Sequence, residues 1–474
     1  MTKTTQQRML CLAGALLLLA GGCSRRLAKP EPLVTAPPRF SATGAAPLQD
    51  NWWAAFEDEQ LNALIDQALK ENFSLQTAWD RLAQADAAAR KAGAALGPQV
   101  NLQGSAGRTR QTTDAGTNYS SLYSVGVAAS YELDLWGRLR STRQAAWLDA
   151  QATRDALDTA AITLTASVAN TWCQLAEAKE LVRIAREQID TNRKVLDVVT
   201  VQFKNGVAKA ADVLRQRQLV ASTEATLISA QETVAVLQYT LSVLVGEPPA
   251  LAWQEDTIAL PVLPALPATG VPSDVLMRRP DVRQAYHRVQ AADQRLAVAI
   301  TDQYPRISLS ASAETSGTSV SDLFDDWMGN LAGNLAQPLF DARQRKSEVE
   351  RQRAVLRENV HTWSQAMLEA LQEVETALTQ EQRQAERLEN LNVQLPLARQ
   401  TYQRTRESFL KGQIDYIRVL ESLQSLQGLE RSVVTAQRTL IQRRIDLYRS
   451  IAGPCEMPRP ALAQTDTTEP SKAK

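Results

Sequence analysis

Apolar residues recur every seven positions through residues 138–205: Ala161, Val168, Leu175, Val182, Ile189, Leu196 and Phe203. A second series lies three residues on (Leu157, Leu164, Ala178, Ala185, Val199), with Thr171 and Asn192 as gaps. The stretch contains no glycine and no proline, so it predicts one helix over 138–205, roughly 100 Å long at ~1.5 Å per residue. A strict period of seven implies left-handed supercoiling with neighbouring helices.

A different pattern precedes it. Residues 52–96 read as amphipathic helix, with Leu61, Leu64, Ala68 and Leu69 on the apolar face, until Gly97-Pro98 stops it. Alternation follows: Val100, Leu102, Gly104 and Ala106 against Asn101, Gln103, Ser105 and Gly107, then Tyr123, Val125, Val127, Ala129, Tyr131, Leu133 and Leu135. Period two predicts strands at about 99–111 and 121–135, each apolar on one face. Such a pair fits either a hairpin over a soluble core or the wall of a transmembrane barrel; its length beside long helices favours the barrel.

The programme then repeats at an offset of 206–207 residues. Leu75 and Ala78 return as Val282 and Ala285, and Pro98, Val100 and Leu102 return as Pro305, Ile307 and Leu309. Strands are predicted at about 305–315 and 327–340, and a second long helix at 342–411. Its seam is Met367, Val374, Leu388, Leu395, Tyr402 and Phe409, broken once at Glu381 and holding Pro396, a residue that normally kinks a helix. Return helices occupy 208–246 and 414–452. The chain divides into a first repeat at 52–246, a proline-rich connection on the outside at 247–272, a second repeat at 273–453 and a disordered tail at 454–474. A duplication explains this correspondence.

The N-terminus changes the compartment. Arg8 precedes an apolar run at 9–20, followed by Gly21-Gly22-Cys23. The run is too short to span a membrane and suits a signal peptide, 1–22. Cys23 after small residues resembles a lipoprotein processing site, which makes it the acylated first residue of a tether at 23–51; ordinary cleavage with Cys23 left as a thiol is the alternative. Cys11 leaves with the signal, and Cys173 and Cys455 are too few for a disulfide framework. The 52 basic and 52 acidic residues balance, so no field favours nucleic acid. His287 and His361 stand far apart, and no phosphate loop, HExxH, CxxC or nucleophile elbow occurs. The reading is no enzyme, no cofactor and no metal.

Four membrane strands cannot close a barrel, since the smallest closed ones have about eight. Open edges in lipid leave backbone groups unpaired, so the barrel has to be shared among copies in a ring. If the helices ring the same axis, the product is a tube, which without catalytic groups is a conduit.

Several motifs carry a family resemblance: Trp52-Trp53 with Phe56 and Asp58; Tyr131-Glu132-Leu133-Asp134-Leu135-Trp136-Gly137-Arg138; Arg278-Arg279-Pro280-Asp281-Val282-Arg283; Tyr304-Pro305-Arg306; and Pro338-Leu339-Phe340-Asp341. Together they resemble the TolC superfamily, most closely its OprM/NodT-type lipoprotein branch. The resemblance implies a mainly α fold with a transmembrane β part: a duplicated helix–strand–strand–long helix–helix repeat, forming a trimeric 12-stranded β-barrel continued by a periplasmic α-helical barrel. It implies the outer-membrane exit duct of a tripartite efflux pump, partnered by a periplasmic adaptor and a proton-driven inner-membrane pump of the RND type. It further implies adaptor docking at the two helix turns (Gly206, Val207, Ala208 and Gly412, Gln413, Ile414) and a periplasmic gate at Ile417 and Glu421. There Arg418 or Arg215 would supply a closing bond. The family's Gly-Arg after Phe-Asp is Ala342-Arg343 here, so the strand-to-helix bend is expected to differ. A type I secretion duct and a periplasmic adaptor or structural coiled-coil lipoprotein are the rival readings.

Overall fold

Helix and strand periods alternate along the chain, and each segment folds into the state that gathers its apolar residues on one face. The computed structural model describes residues 33–47, 49, 51–114, 116–249, 259–454 and 457. A 3-10 turn, Trp52–Phe56, precedes α1 (Glu59–Glu71) and α2 (Phe73–Ala94). Then come β1 (Gln99–Thr113), β2 (Gly116–Leu133), α3 (Arg138–Lys204) and α4 (Ala210–Leu244). The second half holds α5 (Pro272–Arg278), α6 (Pro280–Thr301), β3 (Arg306–Gly317), β4 (Trp327–Ala336), α7 (Gln344–Leu410) and α8 (Tyr416–Ile451). The long helices α3 and α7 are each 67 residues, and α7 continues through Pro396. Among the described residues no helix is long and apolar enough to cross a membrane.

The chain forms two compact units. Of the described residues, one comprises 33, 83–153 and 285–364, and the other 34–82, 154–284 and 365–457.

The first unit contains the sheet, antiparallel throughout, in the order β1-β2-β3-β4. Its register puts Val100, Ala129, Ala311 and Leu331 in one row across the strands, and Asn101, Ala128, Ser312 and Asn330 in the next. Period-two alternation therefore agrees across all four strands, giving one apolar and one polar face. Among the described residues most of the apolar face is uncovered, with Leu102 77% exposed and Leu331 81%; Thr315, which donates its hydroxyl to the Leu323 carbonyl, is covered. Within the protomer β1 and β4 are edges, each with one row of backbone groups unpaired.

The exit from β2 is held by charge. Arg138 binds Glu132 through two bonds of 2.8 Å, and Asp134 accepts from the amides of Leu139 (3.0 Å) and Arg140 (2.9 Å), satisfying two free donors at the start of α3. Trp136 donates from Nε1 to the Pro305 carbonyl at 2.8 Å and lies against Tyr304. In the first repeat Gly137 takes the left-handed bend, with φ 80°. The corresponding residue in the second is Ala342, with φ 49°, followed by Arg343 at φ 71°. The bend thus uses two left-handed residues bearing a Cβ, held by the Asp341 carboxylate, which accepts from Arg345 Nη1 at 3.0 Å.

In the second unit Trp52, Trp53 and Phe56 are buried with Tyr448, whose ring stacks on Trp52 at 5.6 Å. Asp58 caps α1 through the Leu61 amide (3.0 Å) and accepts from Trp172 Nε1 (2.8 Å), tying this turn to α3. The segment expected to be a tether has an ordered part: Phe40 is buried among Val275, Val374, Leu378, Leu447 and Ile451. Its backbone also pairs with the proline-rich connection, Ala46 donating to the Leu266 carbonyl at 3.3 Å and Ala268 to the Ala46 carbonyl at 2.8 Å. One aromatic side chain with a buried site outweighs the low core propensity of its neighbours.

The α3 seam is buried from Ala161 through Leu175, yet Phe203 at its end is 45% exposed. The gaps in the seams are buried too. Thr171 and Asn192 are covered, and Glu381 meets Arg444 through two bonds, Nε to Oε2 at 2.9 Å and Nη2 to Oε1 at 2.5 Å. Arg444 also donates to the Pro264 carbonyl, and Arg279 bonds Asp281, Glu373 and the Ser450 carbonyl.

A left-handed residue with a Cβ costs roughly 1–2 kcal/mol, partly offset on changing to glycine by the entropy glycine loses on folding. Ala342→Gly is therefore expected to raise stability by about 0.5–1 kcal/mol, and Gly137→Ala to lower it. Thermal unfolding of the purified protein reads both; equal midpoints for the two variants would contradict the strain at this bend.

Candidate functional site

Both long helices end the same way. After α3, Gly206 (φ 77°) donates to the Phe203 carbonyl at 3.0 Å and Val207 to that of Gln202 at 2.9 Å. After α7, Gly412 (φ 70°) donates to Phe409 at 2.9 Å and Gln413 to Ser408 at 2.9 Å. These are paired Schellman closures, which require φ > 0 at the first residue beyond the helix cap and satisfy the last carbonyls. Val207 and Gln413, the next residues, are exposed. Ala208 is buried, and Ile414 packs on the cluster formed by Val199, Val213, Phe409, Tyr416, Val419 and Leu420. Of the turn residues, Gly206, Val207, Gly412 and Gln413 offer surface, whereas Ala208 and Ile414 hold the turns to the helices.

Beyond the second turn, Ile417 is half-buried against this cluster, and Arg418, Glu421 and Gln424 are exposed. Arg418 Nη1 lies 4.0 Å from Glu421 Oε2, and Arg215 turns to Asp212 at 3.5 Å. Lys209 and Asp415 stand 3.9 Å apart. Arg418–Glu421 and Lys209–Asp415 are exposed, and pairs of that kind contribute little to stability and are easily exchanged for other partners.

Behind that face lies a polar layer that periodicity does not announce. Tyr416 donates its hydroxyl to Gln216 Oε1, and Gln216 Nε2 donates to the Asn192 carbonyl at 2.7 Å. The Asn192 amide donates to Thr223 Oγ1 at 2.9 Å and accepts from Gln427 Nε2 at 2.8 Å. Gln188 Nε2 donates to the Gln427 carbonyl at 3.1 Å, and Arg431 Nη1 donates to Gln188 Oε1 at 2.6 Å. Asn192, Gln216 and Gln427 are all buried, so each bond left unmade would be costly. Burial, then the neighbouring Tyr402 and Asp212, push the Tyr416 phenol above its ordinary pKa, so it remains a neutral donor. The layer joins α3, α4 and α8, beginning at Tyr416 beside Ile417. The gap at Asn192 in the heptad series was its one sequence signal.

Cys23 lies outside the described residues, as do Cys11 and Cys455. Cys173 is buried, and burial, with Asp58 nearby, pushes its thiol up to about 12, which leaves it inert at neutral pH. Among the described residues no cluster of histidine, cysteine or carboxylate side chains is placed to hold a metal.

The family model for outer membrane efflux proteins matches residues 64–247 and 271–453, one stretch in each half. The pyoverdine export outer membrane protein OpmQ of Pseudomonas aeruginosa is 30% identical, covering 96% of this chain and 99% of its own. The cation efflux system protein CusC of Escherichia coli K12 is 26% identical over 94% and 98%. The solved structure of the outer-membrane channel OprN superposes with a TM-score of 0.84 at 25% identity, covering 91% of this chain and 99% of that one.

Removing one member of the polar layer strands its partners. Asn192→Ala is expected to cost on the order of 2 kcal/mol and to speed amide exchange in α4 and α8 around Thr223 and Gln427. Asn192→Leu with Gln427→Met removes both partners and should recover most of that loss. Hydrogen exchange with mass spectrometry checks this; additive effects of the two sites would show that the layer is not coupled.

Proposed function

The chain belongs to the outer membrane efflux protein family, and from that membership we propose that it is the exit duct of a tripartite efflux pump. The observation that carries this reading is the open four-stranded sheet with one largely uncovered apolar face, built from two strand pairs that each lie in sequence between helices. Three copies would close twelve strands into a barrel in the outer membrane, matching each unpaired β1 edge with the β4 edge of a neighbour. The helices would form the periplasmic barrel, and Cys23 would anchor the N-terminus as an acylated residue. The barrel supplies the main hold on the membrane, because one lipidated terminus is only an accessory to it.

The relatives' names speak of pyoverdine in OpmQ and of cations in CusC. Cargoes so different on one scaffold fit a duct that accepts what its inner-membrane partner, here of the proton-driven RND type, delivers through the adaptor. The exposed turn residues Val207 and Gln413, together with Gly206 and Gly412, form the docking surface, held in place by Ala208 and Ile414. Around a three-fold axis, three Ile417 side chains would narrow the entrance, three Glu421 carboxylates would favour cations, and Arg418 would brace neighbouring helices. Passage then means widening this ring, with the exposed ion pairs exchanged at little cost.

Purified protein in planar bilayers gives the direct test. Ile417→Ala with Glu421→Ala should raise the open probability several-fold, and Glu421→Ala alone should weaken cation preference; unchanged conductance and selectivity would place the constriction elsewhere. The intact mass of the same preparation should carry acyl chains that a Cys23→Ser variant lacks, and an unmodified mass would remove the anchor. For docking, Val207→Glu with Gln413→Glu should abolish drug tolerance in a channel-deficient strain supplied with adaptor and pump. Normal tolerance in that variant would rule the turns out.

A further inference from the structure

Five charged residues lie on the four strands: Arg108 and Arg110 on β1, Glu132 on β2, and Arg306 and Glu314 on β3. Glu132 is neutralised by Arg138, and Arg306 by Asp302. Glu314 shares its row with Gly126 and Met328, on the polar face. Arg108 and Arg110 differ from the rest. Their positions continue Val100, Leu102, Gly104 and Ala106 at steps of two, so they stand on the apolar face. Both are exposed, and among the described residues no carboxylate pairs with either guanidinium.

What they share is a ring. Arg110 is the register partner of Tyr119, and Arg108 that of Ser121. The Arg108 guanidinium carbon lies 5.2 Å from the Tyr119 ring centroid and that of Arg110 lies 5.8 Å from it. Tyr119 thus collects two like charges that repel each other, an arrangement that an anion between them would relieve.

Their height on the sheet decides which anion. The apolar face runs from Leu133, Ile307 and Leu335 to Tyr123, Thr315 and Trp327. Ten residue steps at ~3.3 Å, tilted by ~40°, make a band about 25 Å tall, the hydrocarbon height a barrel wall needs. Tyr123 and Trp327 stand at the hairpin end of the band, and Tyr131, Trp136 and Tyr304 toward the other, as interfacial aromatic residues do. Arg108 and Arg110 lie two and four residues beyond Ala106, so they rise roughly 5 and 10 Å past the band. They lie at the hairpin end, away from the strand ends that lead into α2 and α3. With the helices on the periplasmic side, that level is the headgroup layer of the outer leaflet.

We propose that Arg108 and Arg110, held on Tyr119, bind the phosphate groups of the outer-leaflet glycolipid whose acyl chains lie against Val100, Leu102 and Val127. This rests on the reading of the sheet as the wall of an outer-membrane barrel. Two guanidiniums give fork-shaped, charge-assisted donors suited to phosphate, and the apolar residues below them suit acyl chains, so headgroup and tail are recognised by one continuous face. Free phosphate would meet only the first half of that surface.

The test uses full-length protein purified in detergent, with native mass spectrometry counting bound deep-rough lipopolysaccharide across a titration. Arg108→Gln with Arg110→Gln should weaken binding about tenfold or more, as two lost charge-assisted contacts imply. Wild-type protein should show a comparable loss toward the same glycolipid after phosphatase treatment. Inorganic phosphate at equal concentration should not compete. Undiminished binding by the double variant, or by the dephosphorylated glycolipid, would overturn the proposal, and competition by inorganic phosphate would reduce the site to a simple anion site. Bilayer conductance and a heat-sensitive trimer band from the same samples separate the two levels. Conducting trimers with unchanged glycolipid binding would refute this site alone. Protein that neither trimerises nor conducts would refute the duct reading and this site with it.

Discussion

Unpaired strand edges set the terms for this protein. The sheet in one protomer has a mainly apolar face and two free edges, β1 and β4. In water the face would be an aggregation surface, and in hydrocarbon the edges would each leave a row of backbone donors and acceptors without partners. A protomer therefore carries half of two different solutions and completes neither. Completing both at once requires identical neighbours around an axis, which is why the duct reading makes the barrel a property of the assembly.

The helical unit meets a different constraint, that of register. A heptad seam of alanine, valine and leucine specifies packing but tolerates sliding by a whole heptad. Here the seams are interrupted by buried polar residues that each have one partner set. Asn192 is matched with Thr223, Gln216 and Gln427, and Glu381 with Arg444. Sliding would strand every one of these groups, at a cost greater than the apolar contacts would regain. The same residues that weaken the hydrophobic pattern fix the alignment of the helices.

Duplication has left the halves similar in plan and unequal in chemistry. The two long helices have equal lengths and close with the same hydrogen-bond motif. Yet Gly137 makes its bend with glycine, while Ala342 and Arg343 make theirs with side chains present. Only the second turn is followed by Tyr416, Ile417, Arg418 and Glu421, with the polar layer behind them. The asymmetry sets the exposed Arg418–Glu421 pair in front of the polar layer on α8 and leaves the α3 seam largely apolar.

Periodicity alone determined the long helices, the strand pairs and the duplication, because each is a local pattern repeated often enough to outweigh its exceptions. The row alignment of Val100, Ala129, Ala311 and Leu331 was implicit in that alternation, though the pairing of β2 with β3 joins residues far apart in sequence. What the tertiary structure decided were matters of partner choice. Phe40 lay in a proline-rich stretch that predicts no core, and a distant pocket formed by α5, α7 and α8 buries it. Phe203 satisfied the heptad but stands exposed near a helix end, where Val199 and Phe409 fill the space. Glu381 and Asn192 looked like interruptions until Arg444 and Gln427 arrived from another helix. A hydrophobic period is written along one segment, whereas a buried hydrogen bond needs two, and only folding brings the second within 3 Å.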